Sequence, residues 1–142
     1  MSHYAKNRIE GLNNEQISWP LVEKAVDLLE KEGVLSFQRV STIDGYGNRK
    51  DRVQGIGLRM AGDRYGIDLF MDNDTLVVGG ESMGDAVRPN SHFMKEFTKA
   101  YSAMAIQESL YQNEGFYTTI KTELFGSGNQ RVAQYELNSQ GF

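Results

Sequence analysis

Two short stretches hold the residues of this chain best suited to gripping an anion. The first contains Arg49, Lys50 and Arg52, with Tyr46 just ahead of them. Guanidinium and ammonium groups meet phosphate oxygens through charge-assisted hydrogen bonds, and a tyrosine ring offers a base a face to stack on. The second contains Arg88, Ser91 and His92, behind the glycine-bearing loop Gly79-Gly80-Glu81-Ser82-Met83-Gly84. A helix opening at about Asn90 or Ser91 would present unpaired backbone N–H groups and the positive end of its dipole to an anion. Arg88, Ser91 and His92 would add side-chain donors. Each stretch also has a plainer explanation. Residues 46–52 fit a solvated hairpin tip, and Asn and Ser are preferred caps at any helix start.

Other chemistries find less support. The chain has no cysteine, which excludes disulfides, thiolate zinc sites, iron–sulfur clusters and a cysteine nucleophile. Its histidines are His3 and His92, far apart and in no metal-ligand motif. Asp72-Asn73-Asp74 begins like a calcium loop but lacks the downstream Gly and Glu at the required spacing, so it reads as a turn. There is no Gly-x-Ser-x-Gly elbow, no Walker loop and no dinucleotide fingerprint. Asp63, Asp68, Asp72 and Asp74 sit in turns and on a strand edge, where solvated acids are ordinary. Phe93, Phe97 and Tyr101 repeat at helical spacing and read as core. These absences lead to an expectation of no metal, no cofactor and no catalytic residue.

The bulk properties narrow the partners. A net charge of −4 and a pI near 5.2 weigh against a dedicated nucleic-acid binder. No apolar run approaches the roughly 20 residues that a membrane helix needs. The start Met1-Ser2-His3-Tyr4 lacks the charged and apolar regions of a signal peptide. The expectation is a cytoplasmic protein with no membrane association.

The elements that must hold these residues follow from hydrophobic spacing. The 142 residues read as a single α+β domain spanning 1–142. Residues 3–10 form a short strand. A helix runs from about Ser18 to Glu32, with Ser18 as N-cap, Pro20 in the first turn and Gly33 as the left-handed cap. Its inward side is Val22, Ala25, Val26 and Leu29. Strands follow at 34–43, 53–60, 65–71 and 75–78. A long helix runs from Asn90 or Ser91 to Glu114, with Phe93, Phe97, Ala100, Tyr101, Met104 and Ala105 inward, continuing towards Tyr111. Gly115 caps it, and strands 116–125 and 131–137 close the chain. The order is β-α-β-β-β-β-α-β-β. Alternating strands imply an antiparallel-dominated mixed sheet with both helices packed on one face. The open face would carry Lys6, Arg8, Arg59, Asp68, Phe70, Lys121 and Glu123.

Several of these segments resemble one family, typified by chloroplast hypothetical open reading frame thirty-five and shared with cyanobacteria, other bacteria and phages. The resemblance lies in Met1-Ser2-His3-Tyr4, in the turn running into Asp51-Arg52-Val53, and in Ile56-Gly57-Leu58 followed by Tyr65-Gly66-Ile67-Asp68-Leu69. Phe97 and Tyr101 on the long helix and the closing Glu114-Gly115-Phe116 complete it. It implies a compact α+β fold and brings no mechanism. Its phage members make an inhibitory or ligand-sequestering role conceivable. The leading functional expectation is a non-enzymatic binding protein for an anionic, nucleotide-like small molecule or a partner protein, with homo-oligomerisation among the options. The alternatives are a nucleic-acid module using the open sheet face and an enzyme that would need His92 or an aspartate in a pocket.

Overall fold

Hydrophobic periods of 3.6 and of 2 alternate along the chain, and the elements follow them. The structure is a computed structural model that describes residues 4–9, 11–12, 16–40, 54–60, 66–81, 87–115, 117–127 and 131–140. Among them the order is β1 (Tyr4–Arg8), α1 (Trp19–Lys31), β2 (Phe37–Val40), β3 (Gly55–Met60), β4 (Ile67–Asp72), β5 (Thr75–Glu81), α2 (Val87–Glu114), β6 (Tyr117–Phe125) and β7 (Val132–Gln140). The fold is α+β, in the expected element order. No helix among the described residues is long and apolar enough to cross a membrane.

The strands form two sheets rather than one, and every pairing is antiparallel. Side-chain alternation records which face a residue takes but not which strand lies beside it. The chain divides into two compact units. One holds Met1–Ile17 and Ser36–Lys95; the other holds Ser18–Leu35 and Glu96–Phe142.

The first unit contains the five-stranded sheet, ordered β1-β5-β4-β3-β2. Its β4–β5 hairpin closes on the pair Asp72 and Thr75. Asn73 and Asp74 between them have φ of 48° and 65°. A two-residue hairpin with both central φ positive is a type I′ turn, which Asn and Asp tolerate better than most residues. The Asp72-Asn73-Asp74 segment is therefore a turn, as read from the sequence. Gly66, which leads into β4, has φ +85°, and a Cβ there would lie 2.8 Å from the Leu58 carbonyl oxygen.

The centre of β4 is covered on both faces. Ile67, Leu69, Leu58, Leu76 and Val78 fill one side, and Asp68, Phe70 and Val77 lie on the other. This corrects the expected wet face, because Asp68 and Phe70 are each only 1% exposed. A middle strand has neighbours along both edges, so covering both of its faces hides every side chain whatever the alternation. Arg8 and Arg59, on the same face as Asp68 by register, are exposed as expected.

The second unit contains α1, residues Glu96–Glu114 of α2, and the β6–β7 hairpin. Val22, Ala25, Val26 and Leu29 of α1 are fully buried. Ser18 occupies the N-cap position with extended backbone, but its side chain makes no cap bond. Its backbone N–H instead donates to the Tyr101 hydroxyl at 3.0 Å. At the other end, Gly33 N–H donates to Glu30 and Val34 N–H to Leu29, with Gly33 at φ +66°. That is a complete Schellman motif, with buried Val34 and Leu29 as its apolar contact.

In α2, Phe93, Phe97, Ala100 and Tyr101 are buried, which bears out their reading as core. Tyr111, expected to extend that inward side, is 48% exposed and meets the ring of Tyr117 at a centroid distance of 5.6 Å. Lys121 and Glu123 are exposed, but on β6 in the second sheet rather than beside Arg59.

Candidate functional site

The two basic stretches fare differently. Tyr46, Arg49, Lys50 and Arg52 lie outside the described residues. Arg88, Ser91 and His92 lie on α2, which opens at Val87, three residues earlier than the expected Asn90 or Ser91. Pro89 explains the longer start: it is the third helical residue, where a missing N–H costs nothing because the first four N–H groups have no intrahelical partner. Ser91 is therefore the fifth residue and no longer a cap, and its N–H belongs to the helix ladder. Positions 88, 91 and 92 are spaced i, i+3 and i+4, one side of the first two turns. Among the described residues no acidic residue stands in the first turn. His92 is half-buried.

A second candidate is Asp68, which sequence reading placed in water. On its row of the sheet the register runs Val40, Gly57, Asp68, Gly79 and Lys6 across β2, β3, β4, β5 and β1. Directly opposed residues have Cβ atoms about 5 Å apart. Here both flanking positions are glycine, so the carboxylate has no side chain directly opposite it on either neighbouring strand. Positions 6, 8 and 59 share its face. The signal available in the sequence was an acid inside the apolar run Ile67-Asp68-Leu69-Phe70.

The third candidate lies in the other unit and was missed. Glu96 is fully buried. One carboxylate oxygen accepts from Lys99 Nζ at 3.0 Å, the other from the Ala133 N–H at 3.2 Å, and Lys99 Nζ also donates to the Ala133 carbonyl at 2.9 Å. One helical i,i+3 pair thus takes both backbone groups of a β7 residue, where a neighbouring strand would otherwise bind. On β6, Gln107 takes one backbone group, donating to the Thr118 carbonyl at 2.5 Å. The spacing Phe93, Glu96, Phe97, Ala100 places Glu96 on the apolar side of α2 and was the readable sign.

Near this clamp stands Tyr135, whose hydroxyl is buried with no hydrogen-bond partner. Burial pushes its ionisation well above the ordinary phenol range, and the Glu96 and Glu32 carboxylates push it further. A phenol so placed stays neutral, which suits packing and not proton transfer near neutral pH. The cluster is thus better explained as the device that finishes the small sheet than as a catalytic centre.

Among the described residues no group of three or more His, Asp or Glu is placed to hold a metal ion. Comparison with family models, with curated proteins and with solved structures finds no match to this chain.

Proposed function

We propose that the protein is a non-enzymatic binding protein that holds an anionic, nucleotide-like small ligand with its first unit. One observation carries this reading: Arg8 and Arg59 are exposed on one face of the five-stranded sheet. Exposed guanidinium groups supply the cations that the phosphates of a nucleotide need. The start of α2, with Arg88, Ser91 and His92, adds a second anion-attracting element to the same unit. The stretch Arg49, Lys50, Arg52 with Tyr46 completes the proposed ligand set. The resemblance to the chloroplast open reading frame thirty-five family, with its phage members, is compatible with a sequestering or inhibitory form of this role.

Titration calorimetry with ATP and with pyrophosphate tests it. Saturable binding that Arg59→Ala or Arg88→Ala weakens about tenfold is the expected result, since a charge-assisted bond contributes roughly 1.5–3 kcal/mol. No heat with either compound at about 1 mM, an affinity worth only ~4 kcal/mol, would retire the small-ligand reading. Binding to nucleic acid with a steep salt slope would favour the nucleic-acid alternative instead.

A protein partner is the second reading. Ile106, Tyr111, Tyr117 and Phe125 are large apolar side chains about half exposed in the second unit, the sort of surface that association covers.

A further inference from the structure

The β6–β7 hairpin has two outer edges, and among the described residues only one is closed along the part nearest the turn. In an antiparallel pair, successive residues alternate between turning their N–H and C=O towards the partner strand and away from it. Ala133 turns both away from β6, onto Lys99 and Glu96. Its partner in register is Leu124, so Leu124, Thr122 and Ile120 turn theirs away from β7. Thr118, at the same phase, gives its carbonyl to Gln107. From Ile120 to Leu124, β6 has β7 as its only strand neighbour among the described residues.

We propose that this edge pairs antiparallel with β6 of a second copy of the chain, centred on Thr122. Two observations select that occupant and that register. The first is charge. Lys121 and Glu123 flank Thr122 on the exposed face, 61% and 54% exposed. A two-fold axis at Thr122 sets Lys121 opposite the second copy's Glu123, and Glu123 opposite its Lys121. Moving the axis one residue sets Lys121 on Lys121 or Glu123 on Glu123, and like charges directly opposite destabilise a strand pair.

The second observation is apolar. The same axis places Ile120 beside the second copy's Leu124 on the inner face, both half-buried in one copy. It also brings the half-exposed Phe125 over Thr119 of the other copy. Three facing pairs with two backbone bonds each would give about six new bonds. The product is a four-stranded sheet ordered β7-β6-β6-β7. An edge with free backbone groups is the ordinary template for such pairing. This inference uses the second unit and is independent of the ligand reading.

Sedimentation equilibrium of the full chain across a thousandfold dilution tests it, with Lys121→Glu, the double variant Lys121→Glu with Glu123→Lys, and Thr122→Pro. The wild type is expected to be a dimer that dissociates on dilution. Lys121→Glu opposes like charges twice and should weaken the dimer at least about tenfold. The double variant restores opposite pairs and should recover it. Thr122→Pro removes an N–H that points away from β7, so the hairpin is kept while the dimer is lost. A chain that stays monomeric throughout, or a dimer indifferent to all three variants, would overturn the proposal. The charge variants alter only exposed side chains and therefore test it even if the proline variant unfolds.

Discussion

Asp68 in the five-stranded sheet and Glu96 on α2 are both acids at full burial, and their surroundings have little in common. Asp68 lies on a middle strand whose backbone is bonded along both edges, between two glycines. Glu96 fills its own surroundings: it holds Lys99 and the N–H of Ala133. The first unit satisfies its strands with other strands. The second has two strands among the described residues, and helix side chains supply what a third would have given. An acid locked to backbone groups, as Glu96 is, points to architecture.

The largest effect should come from Glu96→Leu. It strands the Lys99 ammonium and the Ala133 N–H together. A loss of about 3 kcal/mol is expected in urea denaturation, at the low end for a broken buried pair because Lys99 reaches water. Glu96→Gln keeps an acceptor for the N–H and should cost roughly 1 kcal/mol. If both variants behave like wild type, the clamp is not what closes β7.

Next come two glycines given the same change. Gly66→Ala forces a Cβ to 2.8 Å from the Leu58 carbonyl oxygen at φ +85°, and should cost about 2–3 kcal/mol. Gly33→Ala meets nothing within 4 Å. It should cost only the left-handed backbone penalty of about 1 kcal/mol. Equal losses would mean that the approach of β3 to Gly66 is looser than described.

Tyr135→Phe removes a buried hydroxyl that bonds to nothing, and should be neutral or stabilising by up to about 1 kcal/mol. It also has a pH signature. Below the ordinary phenol value of about 10, folded and unfolded chains both keep this proton. Above it the unfolded chain releases the proton first, so stability falls as pH rises. Melting temperatures measured from neutral to alkaline pH should show that fall in the wild type and a shallower one in Tyr135→Phe. A destabilised variant would instead reveal a partner for the hydroxyl. The smallest effect belongs to Lys24→Ala. The 3.9 Å ion pair with Glu108 joins two exposed side chains and should contribute less than about 0.5 kcal/mol by thermal melting.

Much of this was readable before any coordinates. Val22, Ala25, Val26 and Leu29 announced α1, and Lys31-Glu32-Gly33-Val34 announced its Schellman end. Asn73-Asp74 announced a tight hairpin. Glu96 was readable and overlooked, since an acid at i+3 from Phe93 and i−1 from Phe97 falls inside the apolar side of a helix. The start of α2 was misplaced because Asn90 and Ser91 look like caps, while Pro89 is equally at home in a first turn. Asp68 was misplaced for a different reason. Period-2 alternation sends every other residue to a wet face only where the sheet has one.

The amino-acid order by itself determined the local elements, their sequence along the chain and the side of each helix that turns inward, because those depend on residues a few positions apart. Tertiary structure alone decided that β6 and β7 form a sheet of their own, that β4 is the middle strand of the other, and that Gly57 and Gly79 come to flank Asp68. Strand neighbours are chosen by contacts between residues far apart in sequence, and the alternation within one strand is the same whichever neighbour it acquires.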